Sequence, residues 1–178
     1  MHKSQEVLAQ QYRDSYAFVR LGGSRLATAR SLYQSVLHAL GRPYHGMDES
    51  EGRISVTDII THDPETSRGV VMFVDQTQEL AEKQFDELTY LSELQKDGAP
   101  LVRLVLAGTA AAEDKLALPR LASLNQRIAA RAYLQPYDFN ETGAFVRAQL
   151  DASCGNAGEI FDDDAFAQIH RVTDGIPR

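Results

Sequence analysis

An α/β fold, a parallel sheet with helices packed around it, is what this sequence of 178 residues predicts, and three observations carry the prediction. The first is the run Gly69-Val70-Val71-Met72-Phe73-Val74-Asp75-Gln76, which ends abruptly on an acid and an amide. A run so short and valine-rich, bounded by a glycine, suits a strand buried on both faces of a parallel sheet. The second is a like run from Leu101 to Ala107, separated from the first by a helical pattern. The third is an earlier strand and helix in the same alternation. Strand, helix and strand in that order form a parallel crossover, nearly always right-handed. Asp75 and Gly108-Thr109 therefore end neighbouring strands at one edge of the sheet, and ligands of open α/β sheets bind outside the carboxyl ends of the strands.

Each element has its own signal. Tyr16 to Leu21 reads as a strand, and Leu26, Ala29, Tyr33, Val36, Leu37 and Leu40 then recur at helical spacing until Gly41 and Pro43. Between Arg42 and Arg68 the pattern weakens: Glu49 to Arg53 reads as an exposed loop, and Val56 to Thr61 as a short helix or strand. A helix from about Glu79 to Gln95 places Phe85, Leu88 and Leu91 on one face, and Gly98-Ala99-Pro100 ends it. Leu116 to Ile128 reads as helical around Pro119, and Ala132 to Leu134 as a short strand. Asp138 with Glu141 three residues on is a capping-box start for a helix carrying Phe145, Val146 and Leu150. Gly155 to Gly158 is a loop. Asp162-Asp163-Asp164 then opens a last helix, with Phe166 and Ile169 facing inward, and its acids suit the positive end of the helix dipole better than they argue for a metal.

Composition bounds the function. With 43% hydrophobic residues the chain buries one good core, and one domain with a small appendage follows. A net charge of -7 opposes non-specific attraction to nucleic acid. Cys154 is the single cysteine, which rules out an internal disulfide and favours a reducing compartment. Met1 to Glu6 lacks the apolar core of a signal peptide, and no segment reaches the roughly 18 apolar residues of a membrane span. A soluble, cytoplasmic protein is expected. Hydrolase chemistry of other kinds finds no support: there is no G-x-S-x-G elbow, no paired metal-ligand histidines and no reactive setting around Cys154. His38, His45, His62 and His170 are scattered.

From Val70 to Arg178 the chain resembles the AAA+ ATPase domain of the general secretion pathway protein A type, related to ATPases of some pilus systems. The matching stretches are Val74 to Leu80, Leu104 to Gly108, Asn125 to Arg131, Phe161 to Arg171 and Gly175 to Arg178. The resemblance implies a three-layer, P-loop NTPase-like parallel sheet of AAA+ type over residues 1–137, flanked by helices, and a partial C-terminal helical lid over 138–178. It implies ATP and Mg²⁺ as cofactors. Asp75 would hold Mg²⁺ through bound water, Thr109 would act as a sensor, Arg127 or Arg131 would reach a neighbouring subunit's nucleotide, and Arg178 would be the lid's sensor arginine. Other readings stand beside these: Asp75 as a cap of the following helix, and either arginine as a surface ion pair.

The departures from the family matter equally. Gln76 stands where many such ATPases have a glutamate to orient the attacking water, and an amide is no base. No G-x-x-x-x-G-K-[ST] motif occurs in these 178 residues. Lys3-Ser4 lies where its final pair would fall, with a first helix through Val7 and Leu8, so the sequence reads as starting inside the motif. A fragment, a degenerate paralogue and a shortened gene product all fit. Gly22-Gly23-Ser24-Arg25 is the other candidate phosphate cradle, although two glycines at a strand end commonly make only a turn.

The expected function is an AAA+ ATPase-like module of a secretion or pilus assembly system, in which nucleotide state controls self-association and engagement of an inner-membrane partner, with weak or no hydrolysis. The first alternative is a nucleotide-independent interaction module of the same fold. The second is a DNA-transposition type regulator using Arg20, Arg25 and Arg30, against which the acidic total weighs.

Overall fold

The computed structural model describes residues 11–12, 15–66, 68–154 and 161–177, the side chains of Arg25 and Cys154 excepted. Strands β1 (Ala17–Gly22), β2 (Val70–Asp75) and β5 (Val102–Leu106) form a three-stranded sheet in the order β1-β2-β5, with both pairings parallel. The parallel α/β sheet that the two apolar runs predict is present. Val70, Met72 and Val74 are wholly buried on one face of β2, and Phe73 is nearly so on the other. That explains why β2 reads as a continuous apolar run.

Helices α1 (Ala29–Ala39), α2 (Glu49–His62) and α3 (Glu82–Ser92) cross over between these strands. Leu32, Tyr33, Val36 and Leu37 of α1 and Phe85, Leu88 and Leu91 of α3 join Val19, Val70 and Met72 in one core. Helix α1 begins at a capping box, in which Thr28 Oγ1 accepts the Ser31 N–H at 3.0 Å.

Several expectations need correction. The stretch Glu49–Arg53 is the first turn of α2, not an exposed loop, and Val56–Thr61 continues that helix. Its start is fixed by Asp48, whose Oδ1 accepts the Glu51 N–H at 2.8 Å while Glu51 returns a carboxylate to the Asp48 N–H at 2.9 Å. Only Gly52, Val56 and Ile60 are buried along α2, a stripe of residues four apart, too thin to register as periodicity. Helix α3 starts at Glu82 and stops at Ser92. Gln95 belongs instead to a short antiparallel hairpin, β3 (Gln95–Lys96) with β4 (Ala99–Pro100). Asp97 and Gly98 both have positive φ there, as a two-residue hairpin turn requires.

Farther on, Leu116–Ile128 is not one helix: helix α4 (Ala110–Leu116) ends where that stretch begins, and Pro119 opens a 3₁₀ turn (Pro119–Leu121) that leads into α5 (Ala122–Gln126). Proline suits the first position of a turn, where no N–H is needed. Ala132–Leu134 pairs with no strand among the described residues, and Tyr133 and Leu134 are largely exposed.

Contacts divide the chain into two compact units, 1–128 and 129–178. The second holds helices α6 (Phe139–Cys154) and α7 (Asp163–Thr173), which pack on each other around Phe166. Asp138 and Glu141 form the reciprocal cap at the head of α6, at 2.8 and 2.9 Å. Asp162 caps α7 by accepting the Ala165 N–H at 2.8 Å. The loop expected at Gly155–Gly158 lies outside the described residues.

Candidate functional site

At the carboxyl edge of the sheet, Gly22 of β1 lies opposite Asp75 of β2, and Val74 lies opposite Leu106 of β5. The chain leaves β2 through Asp75, Gln76, Thr77 and Gln78, and both neighbouring strand ends grip those residues. On the β1 side, a Cβ placed on Gly23 would collide with the Gln76 carbonyl oxygen, so only glycine permits this approach. On the β5 side, a Cβ on Gly108 would stand 2.6 Å from Thr77 Oγ1 and 2.8 Å from Gln78 Oε1.

Thr77, 1% exposed, donates both its N–H and its hydroxyl to the Ala107 carbonyl, each at 3.0 Å. Gln78 Oε1 accepts the Thr109 N–H at 3.2 Å, and Thr109 is the N-cap residue of α4. From the far end of α4, the Lys115 ammonium donates to the carbonyls of Gln78 and Leu80.

Asp75 is half-buried, and its Oδ1 accepts the Gln76 N–H at 2.9 Å. The N-cap of α3 is Ala81, so that hydrogen bond to the adjacent residue, not a helix cap, is what the Asp75 carboxylate makes. Gln76 has φ +55°, in the left-handed region that non-glycine residues rarely occupy, and its side chain is exposed. The fold thus brings Asp75, Gln76 and Thr109 to one edge, with Gln78 joining them.

The donor set tests the fit of Mg²⁺. One carboxylate and neutral oxygens suit a hard cation that keeps waters and shares its remaining positions with phosphates. Among the described residues no group of three or more His, Cys, Asp or Glu could hold a metal alone. Of the pair Gly22-Gly23, Gly23 is accounted for by its close approach to the Gln76 carbonyl, so the sheet edge offers a cation's partner more clearly than a phosphate cradle.

The other sequence-predicted residues lie elsewhere. Arg127 follows α5 and pairs with Glu93 at 3.0 Å, both side chains about half exposed. Arg131 is exposed and falls in the second unit. Lys3, Ser4 and Arg178, with Val7 and Leu8, are outside the described residues. Sequence reasoning missed the parts played by Gly23, Gly108, Gln78 and Lys115. Its one available signal was a glycine just past each strand flanking β2.

Comparison with known proteins agrees with this fold. A family model described as an AAA domain matches residues 3–116. General secretion pathway protein A of Aeromonas hydrophila is 35% identical over 108 residues, 61% of this chain, which spans only 20% of that relative's length. The crystal structure of Cdc6p from Pyrobaculum aerophilum superposes with a TM-score of 0.71 at 18% identity, over 92% of this chain and 43% of that one. The ORC2 protein of Aeropyrum pernix, solved as ADPNP–ADP complexes, gives 0.64 at 13% identity, over 92% of this chain and 42% of the other. At such identities these two show the fold alone. No helix among the described residues is long and apolar enough to cross a membrane.

Proposed function

Because this chain belongs to the AAA domain family, we propose that it is a nucleotide-responsive module of a secretion or pilus assembly system, whose nucleotide state controls self-association and engagement of an inner-membrane partner from the cytoplasm. The observation that carries the reading is the sheet edge: Asp75 at the end of β2 with Thr109 just past the end of β5, tied together through Gln78. The likeness to general secretion pathway protein A supports the system, and the nucleotide in the ORC2 structure supports the ligand class.

In this reading Asp75 holds Mg²⁺ through water, and the cation would neutralise charge on bound phosphates. Thr109 faces the same phosphates, Arg127 or Arg131 serves a neighbouring copy, and residues 138–178 are a partial helical lid in which Arg178 is the sensor arginine. Lys3 and Ser4 would meet the phosphates from the start of the chain. Gln76 orients water by hydrogen bonding but takes no proton from it, so hydrolysis by these 178 residues is weak.

Isothermal titration with Mg-ATP tests the proposal. Binding weaker than about 100 μM is expected, since a full set of P-loop backbone donors and its lysine supplies much of the phosphate contact. Asp75→Ala should weaken it further when Mg²⁺ is present and not when EDTA replaces it. A response to ATP that ignores both Mg²⁺ and Asp75 would defeat the site.

A second reading, a nucleotide-independent interaction module, is favoured by one observation: Gly23 is packed against the Gln76 carbonyl, a steric need for glycine that involves no phosphate. Complete silence toward Mg-ATP at millimolar concentration would select it.

A further inference from the structure

We infer that Gln78 and Lys115 form a clasp that sets Thr109 against Asp75, Gln78 as the positioning residue and Lys115 as the residue that holds it in place. The geometry closes on itself. Helix α4 is tied to the segment leaving β2 at both of its ends: the Gln78 side chain accepts the Thr109 N–H at its start, and Lys115 donates to the Gln78 and Leu80 carbonyls at its finish. Gly108 leaves room for the amide, because a Cβ there would stand 2.8 Å from Gln78 Oε1. Thr77 completes the joint through its two hydrogen bonds to the Ala107 carbonyl.

A short helix of seven residues bonded at both ends to one loop moves with that loop. The backbone after Asp75 and the backbone at Thr109 therefore share one position, set by a neutral amide and an ammonium ion. The clasp is made by protein groups alone. Its consequence for ligand sensing rests on the reading of Asp75 and Thr109 as nucleotide-facing groups.

Water-exchange NMR on the ¹⁵N-labelled 178-residue chain separates the two. Gln78→Leu should speed exchange of the Thr109 amide by roughly five- to tenfold, the worth of one hydrogen bond, while the amides of Met72 and Val74 in β2 stay as in the parent. Gln78→Glu keeps an acceptor oxygen and should restore the parent rate. Lys115→Met frees the Gln78 backbone and should speed Thr109 as well, again without change in β2. An unchanged Thr109 rate in Gln78→Leu, or a rise shared equally by Met72 and Val74, would overturn the clasp. An unchanged rate in Lys115→Met would overturn the part given to Lys115. Mg-ATP added in excess to the parent sample should move the Asp75, Gln76 and Thr109 resonances. Silence there would remove the nucleotide reading and leave the clasp intact.

Discussion

Gln76 carries the sharpest chemical question at the level of single residues. It follows the acid of β2, its backbone is left-handed and its side chain is exposed, so it can reach a ligand's water without cost to the core. In this chain joined behind a complete P-loop segment, Gln76→Glu should raise single-turnover hydrolysis at saturating ATP by roughly 10²-fold, the scale of general-base catalysis. Equal rates would remove Gln76 as the water-orienting group. Gly23 poses a question of space. Gly23→Ala should destabilise the fold by about 1–3 kcal/mol, the range of overpacked substitutions, and the shift should appear in urea unfolding followed by far-ultraviolet circular dichroism. A neutral outcome would mean that the Gln76 carbonyl yields easily.

Elements differ in how plainly the sequence announces them, and the reason is how each is buried. Strand β2 is legible because both of its faces are covered, so Val70 to Val74 has no polar interruption. Helix α2 is hidden because three residues spaced by four do its packing; its real announcement is the Asp48–Glu51 cap. Asp48→Ala should therefore cost about 1 kcal/mol, read as a lower urea midpoint, and no loss would show that α2 is held by packing alone.

The same helices share a buried polar joint. Tyr33 of α1 donates its hydroxyl to Glu87 of α3, Arg53 of α2 lies 3.7 Å from that carboxylate and 3.8 Å above the Tyr90 ring, and Thr57 meets the Tyr90 hydroxyl at 3.1 Å. Burial first, and then the Glu87 hydrogen bond, push the Tyr33 phenol well above its ordinary range. Above about pH 10 the unfolded chain releases this proton and the folded chain keeps it, so stability is fully present below that pH and falls as pH rises. The double variant Tyr33→Phe, Glu87→Gln should flatten the alkaline stability slope by up to about 1.4 kcal/mol per pH unit. An unchanged slope would show that Tyr33 ionises as freely in the folded chain.

At the scale of the whole molecule, the units 1–128 and 129–178 are unequal in core. Chymotrypsin should cut first after Tyr133 or Leu134, which are 64% and 83% exposed in a stretch without helix or strand. Initial cuts within β2 or β5 would contradict that order. The three-layer arrangement and the edge holding Asp75 and Thr109 were legible because strand order alone decides which ends lie together. The ties across that edge were not, because they run between side chains and the backbone amide or carbonyl groups of residues distant in sequence, and no spacing in sequence encodes them. The close approach at Gly23 and Gly108 has a consequence for any mutational library of this protein. Both positions should come back as glycine from a screen for folded chains alone, with no ATP present and no assay of turnover. Glycine retained there would report the steric fit of the β2 exit, and a screen that used it as a sign of phosphate binding would score dead and active variants alike.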